Sequence, residues 1–295
     1  MHPDSMESLF QHHAGCSWHS GATCPSSWLH MPHFVLSSMR LSRRSFLGAG
    51  LAATTIAATR TSLAAQGMSK GIGAVAFDAF ALFDARPVFQ ACEAVAPGRG
   101  NELATVWRTR QFEYQWLRAL GGRYQDFYAA SGAALEFAAR SLKLDLATDA
   151  RERLMHGFLE LRAWPDVPAS LRALRDAGVK VALLSNATPQ ILTTALKNSD
   201  LDTALDQVIS TDRIRSYKPD PRAYQLGVDL LQLPRERIAF VAFAGWDVAG
   251  AKWFGYPTFW NNRQSAAPES LGVKADAEGA TLDSLLQWLN VPSPN

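Results

Sequence analysis

From about residue 70 the chain alternates short apolar runs with stretches whose apolar residues recur at helical spacing. The first run, Ala74-Val75-Ala76-Phe77-Asp78-Ala79-Phe80, is interrupted by a single carboxylate. A run of this length bounded by turn signals predicts a strand buried on both faces. Val179 to Leu184, Gln207 to Ser210, Ile238 to Phe243 and Pro257 to Trp260 predict four more strands. Between them, Ser170 to Ala177, Pro189 to Asn198, Pro221 to Leu230 and Val248 to Phe254 read as helices. Alternating strands and helices predict an α/β fold, a doubly wound parallel sheet with right-handed crossovers.

The block from Pro87 to about Ala163 shows no convincing strand and reads as four helices, punctuated by Pro97-Gly98-Arg99-Gly100 and Gly121-Gly122. Inserted after the first strand, it is placed to cap the strand ends. The expected division is therefore an α/β core over 70–86 and 164–295, with a helical cap over 87–163. Trp107, Phe112, Trp116, Tyr124 and Phe127 supply apolar surface to the cap, most of it as core of the helical bundle.

Composition narrows the function classes. With 29 Lys and Arg against 27 Asp and Glu, the formal charge of +2 suggests no broad nucleic-acid-binding face. Of the 3 cysteines, Cys16 and Cys24 precede the predicted fold, so Cys92 stands alone within it and no internal disulfide framework is available. Six of the 7 histidines lie within the first 33 residues, at spacings that fit no zinc pattern. Ser42-Arg43-Arg44-Ser45-Phe46-Leu47, an Ala-rich apolar stretch and Thr61-Ser62-Leu63-Ala64-Ala65 have the layout of an export signal of the twin-arginine type. The apolar stretch is too short for a stable membrane anchor. Met39 is the better start for such a signal, so 39–69 is read as the signal and 1–38 as an over-extended or disordered N-terminus. Use of the signal implies a periplasmic protein; otherwise it is cytoplasmic.

Four polar groups fall at the ends of successive predicted strands: Asp78, Ser185-Asn186, Lys218 and Asp247. Ligands of open α/β sheets bind beyond the carboxyl ends of the strands, so these groups define one crevice. A strand-end carboxylate can serve as nucleophile, metal ligand or base, according to its neighbours. A lysine beside two carboxylates keeps the first one charged, while a hydroxyl and an amide can hold an anionic substrate.

This ordered set resembles the haloacid dehalogenase superfamily, with its Rossmann-like core, and more narrowly its L-2-haloacid dehalogenases. The resemblance runs from about Gly73 to Arg263. It rests on Phe77-Asp78, Phe83-Asp84, Pro97-Gly98-Arg99-Gly100, Trp107-Arg108, Glu113-Tyr114-Gln115-Trp116-Leu117-Arg118, Leu184-Ser185-Asn186, Tyr217-Lys218-Pro219-Asp220 and Trp246-Asp247. It implies that Asp78 displaces the halide of a small 2-haloacid to form an ester, which water then hydrolyses to the inverted 2-hydroxy acid. It further implies that Arg108 faces the halide, Lys218 sets the charge of Asp78, and Asp247 positions or activates the water. Ser185 and the backbone amides of Ala79 and Phe80 would hold the substrate carboxylate, with Asn186 assisting the halide or orienting the carboxylate. Tyr224 lies near the site, and Phe127 and Trp246 wall the pocket. No metal or cofactor is implied, and relatives often form homodimers, for which the cap's apolar residues offer a surface.

Phosphatases of the superfamily resemble Asp-x-Asp at the first strand and carry paired acidic residues near the fourth. Here Phe80 cannot donate a proton, and Ala244-Gly245-Trp246-Asp247 offers a hard cation a single carboxylate. The chain also departs from its dehalogenase relatives. The loop after Asp78 is one residue shorter and lacks a Gly-Thr pair, and Ala242 and Ala244 replace Ser and Asn. These losses predict a tighter, drier pocket that favours small haloacids such as chloroacetate. The alternatives are a phosphatase of the same superfamily or an exported homologue that binds a carboxylate without turnover.

Overall fold

The computed structural model describes residues 71–293, and the expected signal and the segment before it lie outside the described residues. Six parallel strands form one sheet in the order β5-β4-β1-β6-β7-β8. In chain order these are β1 (Ala74–Phe77), β4 (Lys180–Ser185), β5 (Gln207–Ser210), β6 (Ile238–Ala242), β7 (Thr258–Asn261) and β8 (Ala277–Gly279). The chain winds outward from β1 through β4 and β5, then returns to the other side of β1 for β6, β7 and β8. This reversal makes the carboxyl end of β1 a topological switch point, where an open sheet leaves a crevice.

Side-chain alternation explains why β1 lies at the centre. Val75 and Phe77 join one apolar cluster, Ala74 and Ala76 join the other, and all four are fully buried. The first cluster packs beneath the helices Val167–Asp176, Pro189–Asn198 and Leu282–Trp288, and the second beneath Pro221–Leu231 and Gly245–Phe254. Helix ends follow local chemistry. Thr188 accepts from Ile191 N at 3.2 Å ahead of Pro189, and Gly255 closes its helix at a φ of +101° that favours glycine.

Several expected boundaries moved. The first strand stops at Phe77 because Asp78 caps the helix α1 (Ala79–Leu82), its carboxylate accepting from Phe80 N at 2.8 Å. The fourth strand ends at Ala242 rather than Phe243, and the fifth runs from Thr258 to Asn261. The sixth strand, β8, was not legible because its three residues are partly exposed and form no apolar run. Asp276 seats it, donating through its N–H to Thr258 O at 2.8 Å and accepting from Thr258 N at 2.7 Å.

The helical block contains the long helices α4 (Gly100–Leu120) and α5 (Phe127–Ser141), with α6 (Thr148–His156) behind them. Two shorter helices, α2 (Arg86–Gln90) and α3 (Cys92–Val95), precede these, so the described block has five helices rather than four. It also contains a strand residue pair that the sequence reading missed. Arg162–Ala163 (β3) pairs antiparallel with Phe83–Asp84 (β2), tying together the chain segments that leave the core and return to it. Two residues are too few to show a strand periodicity; the pairing exists because both segments must cross at the same place.

The block is latched to the core by polar contacts. Tyr124 donates to Asp212 Oδ1 at 2.7 Å, Tyr217 donates to the backbone oxygen of Gln125, and Trp116 Nε1 donates to Lys218 O at 3.2 Å. These bonds hold the cap's aromatic surface over the end of β1. No described helix is long and apolar enough to cross a membrane.

Candidate active site

Asp78 and Asp247 share one ammonium group. Lys218 Nζ donates to Asp78 Oδ2 and to Asp247 Oδ2, each at 2.7 Å. All three side chains are at most 4% exposed, so little water screens the triad. The strand register explains the convergence. Phe77 pairs with Leu183 on one side and Val241 on the other, and Asp78 N donates to Val241 O at 2.9 Å. The residues after β1, β4 and β6 therefore emerge at one level.

Tyr224 completes the cluster from the helix α9 (Pro221–Leu231), donating to Asp247 Oδ1 at 2.8 Å. Asp247 lies in the first turn of α10 (Gly245–Phe254), where the helix dipole favours a negative charge. Burial and the nearby Asp78 nevertheless outweigh Lys218 and Tyr224 and push the Asp247 carboxyl up to about 6. Burial alone would lower the pKa of Lys218. Asp247 and Asp78 reverse this and hold its pKa above the ordinary lysine value. Burial, then Asp247, raises the Tyr224 phenol well above its usual range, so it serves as a donor.

The remaining expected residues divide between two neighbouring places. Ser185 is buried at the end of β4, with its Oγ accepting from Ala187 N at 3.2 Å and donating to no described residue. Ala79 and Phe80 open α1 beside Asp78. Phe127 packs on Phe80 with ring centroids 6.3 Å apart, and Trp246 packs on Phe112 of the cap at 5.4 Å. Asn186 is more committed than expected. Its Oδ1 accepts from Lys218 N at 2.8 Å, and its Nδ2 donates to Gln115 Oε1 at 3.1 Å. It braces the peptide that carries Lys218.

Arg108 makes no hydrogen bond or ion pair to the triad among the described residues. It lines a cavity of about 540 Å³ with Phe80, Phe89, Phe112, Trp164 and Phe243, among others; Asp78 is not part of that lining. Phe80 belongs to both places, since its N–H holds Asp78 and the residue borders the cavity. Burial lowers the pKa of Arg108 from the ordinary arginine value, and no described carboxylate pairs with it. A guanidinium so placed is available to an anion.

Two further residues join the site without a strand-end motif to mark them. Phe243 contacts Phe80 at 5.2 Å, Phe112 at 6.3 Å and Trp246 at 6.2 Å, linking core and cap aromatics. Gln115 joins the cap to Asn186; its spacing of seven residues from Arg108, which puts both on one helical face, was the available signal.

A family model of haloacid dehalogenase-like hydrolases matches residues 53–255. The chain belongs to this family. It is 39% identical to haloacetate dehalogenase H-2 of Moraxella sp. (strain B), across 75% of the chain and all of that relative. It is 40% identical to an (S)-2-haloacid dehalogenase of Pseudomonas sp. (strain YL), across 73% of the chain and 94% of the relative. Among solved structures it resembles the L-2-haloacid dehalogenase of Xanthobacter autotrophicus with chloropropionic acid covalently bound. That likeness has a TM-score of 0.69 and 32% identity, and covers 74% of this chain and 98% of the other. Within the family, this chain thus groups with the 2-haloacid dehalogenases.

Proposed function

We propose that the chain hydrolyses short (S)-2-haloalkanoic acids to the inverted 2-hydroxy acids. The observation that carries this reading is Asp78. One carboxylate oxygen is held by Lys218 Nζ and the other by Phe80 N, and position 80 provides no acid for a phosphate leaving group. The carboxylate attacks C2 opposite the halogen, forming the C–O ester bond as the carbon–halogen pair leaves as halide. Arg108 lies across Phe80 from this step and supplies a cation for the halide. Water then attacks the ester carbonyl of Asp78. Asp247 takes the proton, and Lys218 stabilises the developing negative charge. The bond between Asp78 Cγ and the ester oxygen then breaks while the C–O bond to C2 survives, and the departing alkoxide takes the proton from Asp247 to leave as the 2-hydroxy acid. Phe80, Phe112, Phe127 and Trp246 keep the first step dry.

The test is chloride release from (S)-2-chloropropionate with and without a chelator. Release that resists the chelator, with no turnover of the (R) acid, supports the reading. Magnesium-dependent hydrolysis of para-nitrophenyl phosphate supports a phosphatase instead. Saturable carboxylate binding without release supports a non-catalytic homologue, the reading that Ala242 and Ala244 at the end of β6 favour. A single turnover in ¹⁸O-water must label the carboxyl of Asp78.

Export by the twin-arginine route and self-association belong to the same proposal. The mass of the mature N-terminus from a periplasmic fraction tests the first. Leu117 and Leu120 of α4 are 61% and 87% exposed, an apolar cap surface suited to a second copy. Light scattering of the protein and of Leu120→Lys tests the second.

A further inference from the structure

Gln115 is fully buried, yet only half of its carboxamide is used. Oε1 accepts from Asn186 Nδ2 at 3.1 Å, whereas Nε2 has no partner among the described residues. Native proteins rarely bury an N–H without giving it an acceptor, so such a group calls for an explanation. Its position supplies one. Arg108, Phe112 and Gln115 follow one another at i, i+4 and i+7 along α4 and share a face. Phe112 borders the cavity that also holds Arg108, and Gln115 reaches the end of β4 next to Ser185.

A second buried donor lies at the same junction of cap and core. Trp246 Nε1 is buried and likewise without a described partner. The Trp246 ring lies 5.4 Å from Phe112 and 5.6 Å from Trp116, the cap residues one turn before Gln115 and immediately after it. Its centroid is 6.0 Å from Lys218 Nζ. Ala242 and Ala244, at the neighbouring strand end, have no side-chain donor to offer. The group that would satisfy two N–H donors and needs no donor in return is a small anion.

We infer that Gln115 Nε2, supported by Trp246 Nε1, forms a cap-borne subsite for a small monovalent anion, either a halide or the carboxylate of a 2-haloacid. The dehalogenase reading determines which anions reach it, and the inference rests on that reading to this extent. Because Gln115 is carried by the cap, the subsite is complete only while the cap is seated on the core. Gln115 also braces Asn186 and hence Lys218, so anion binding and the setting of Lys218 depend on the same side chain.

Crystals of the whole protein soaked in bromide, and others in propionate, locate the anion directly, with bromide seen by its anomalous scattering. Inhibition constants for bromide and propionate are measured on the parent and on Gln115→Met, Gln115→Glu and Trp246→Phe. A hydrogen bond to a charged group of ordinary strength predicts that Gln115→Met weakens one inhibitor about tenfold or more, and that Gln115→Glu weakens it further. Bromide within hydrogen-bond distance of Nε2, with weakened bromide inhibition, assigns the site to the halide. A propionate oxygen there, with weakened propionate inhibition and a raised KM, assigns it to the carboxylate. Water alone at Nε2 in both crystals overturns the inference, as does Gln115→Met inhibited by both anions within twofold of the parent. If the Gln115 variants fail to fold, Trp246→Phe and the parent crystals decide. A parent protein that binds bromide at Nε2 yet releases no chloride leaves the subsite standing and removes the dehalogenase reading.

Discussion

Gly250 leaves room for the hydroxyl of Tyr224: a Cβ at position 250 would overlap that oxygen and also crowd Pro219. The same hydroxyl donates to Asp247 Oδ1 at 2.8 Å, so a helix residue three positions past Asp247 controls a bond to it. Gly250→Ala is expected to push Tyr224 away from Asp247, lower kcat about tenfold, and destabilise the fold by about 1–3 kcal/mol, as overpacking does. Combining it with Tyr224→Phe removes the overlapping oxygen and should restore stability but not kcat. Urea unfolding and chloride release on the two variants check both parts.

The raised carboxyl of Asp247 sets a pH window. Burial, then Asp78, raises it to about 6, so the form that can accept a proton from water fills as pH rises through that value. The expected result is a kcat profile with an acid limb near pH 6. Tyr224 lowers this carboxyl through its hydrogen bond, so Tyr224→Phe should move the limb to higher pH. The sign for stability is opposite. A carboxyl that holds its proton more tightly when folded contributes stability below the unfolded value near 3.8 and loses it as pH rises through about 6. Asp247→Asn should therefore flatten the fall in stability between pH 4 and 7, measured by urea unfolding.

Removing the ammonium leaves two carboxylates facing each other in a buried place. Lys218→Met should abolish turnover and destabilise the protein by about 3–5 kcal/mol at pH 7, the penalty for an unpaired buried charge. The loss should shrink at pH 5, where one carboxyl takes a proton. Adding Asp247→Asn should recover part of it at pH 7. Denaturant midpoints at the two pH values check the sequence of effects.

Pocket size should follow Phe243. Its ring touches Phe80, Phe112 and Trp246, and fills space next to the small Ala242 and Ala244. Monochloroacetate is expected to be turned over faster than 2-chlorobutyrate, and Phe243→Ala should narrow the ratio of their kcat/KM values by roughly tenfold, the scale of a few methylenes in an apolar pocket. A parent enzyme that prefers 2-chlorobutyrate would refute the small-pocket expectation.

Much of the architecture was legible because burial on both faces leaves an unmistakable trace. Ala74 to Phe77, Val181 to Leu184 and Ile238 to Ala242 are unbroken apolar runs because every position in them faces one of two cores. The helices between them showed apolar spacing for the same reason. What escaped notice was held by polar or very short contacts. β8 depends on Asp276, and β2 pairs with β3 through only two residues, so neither leaves a periodicity.

The chemistry divides along a similar line. The sequence alone determined which groups stand at strand ends, that Phe80 removes an acid, and that the chain carries the dehalogenase motifs in order, because these are properties of residue identity and spacing. Only the tertiary structure decided that Lys218 bridges Asp78 and Asp247, that Asn186 is occupied in bracing it, and that Arg108 and Phe80 border one cavity. Such pairings join residues as much as 140 positions apart, and their distances depend on strand register and on how the cap packs. Local sequence encodes which side chains are present; the packing of sheet against cap sets which of them meet, and how far from water.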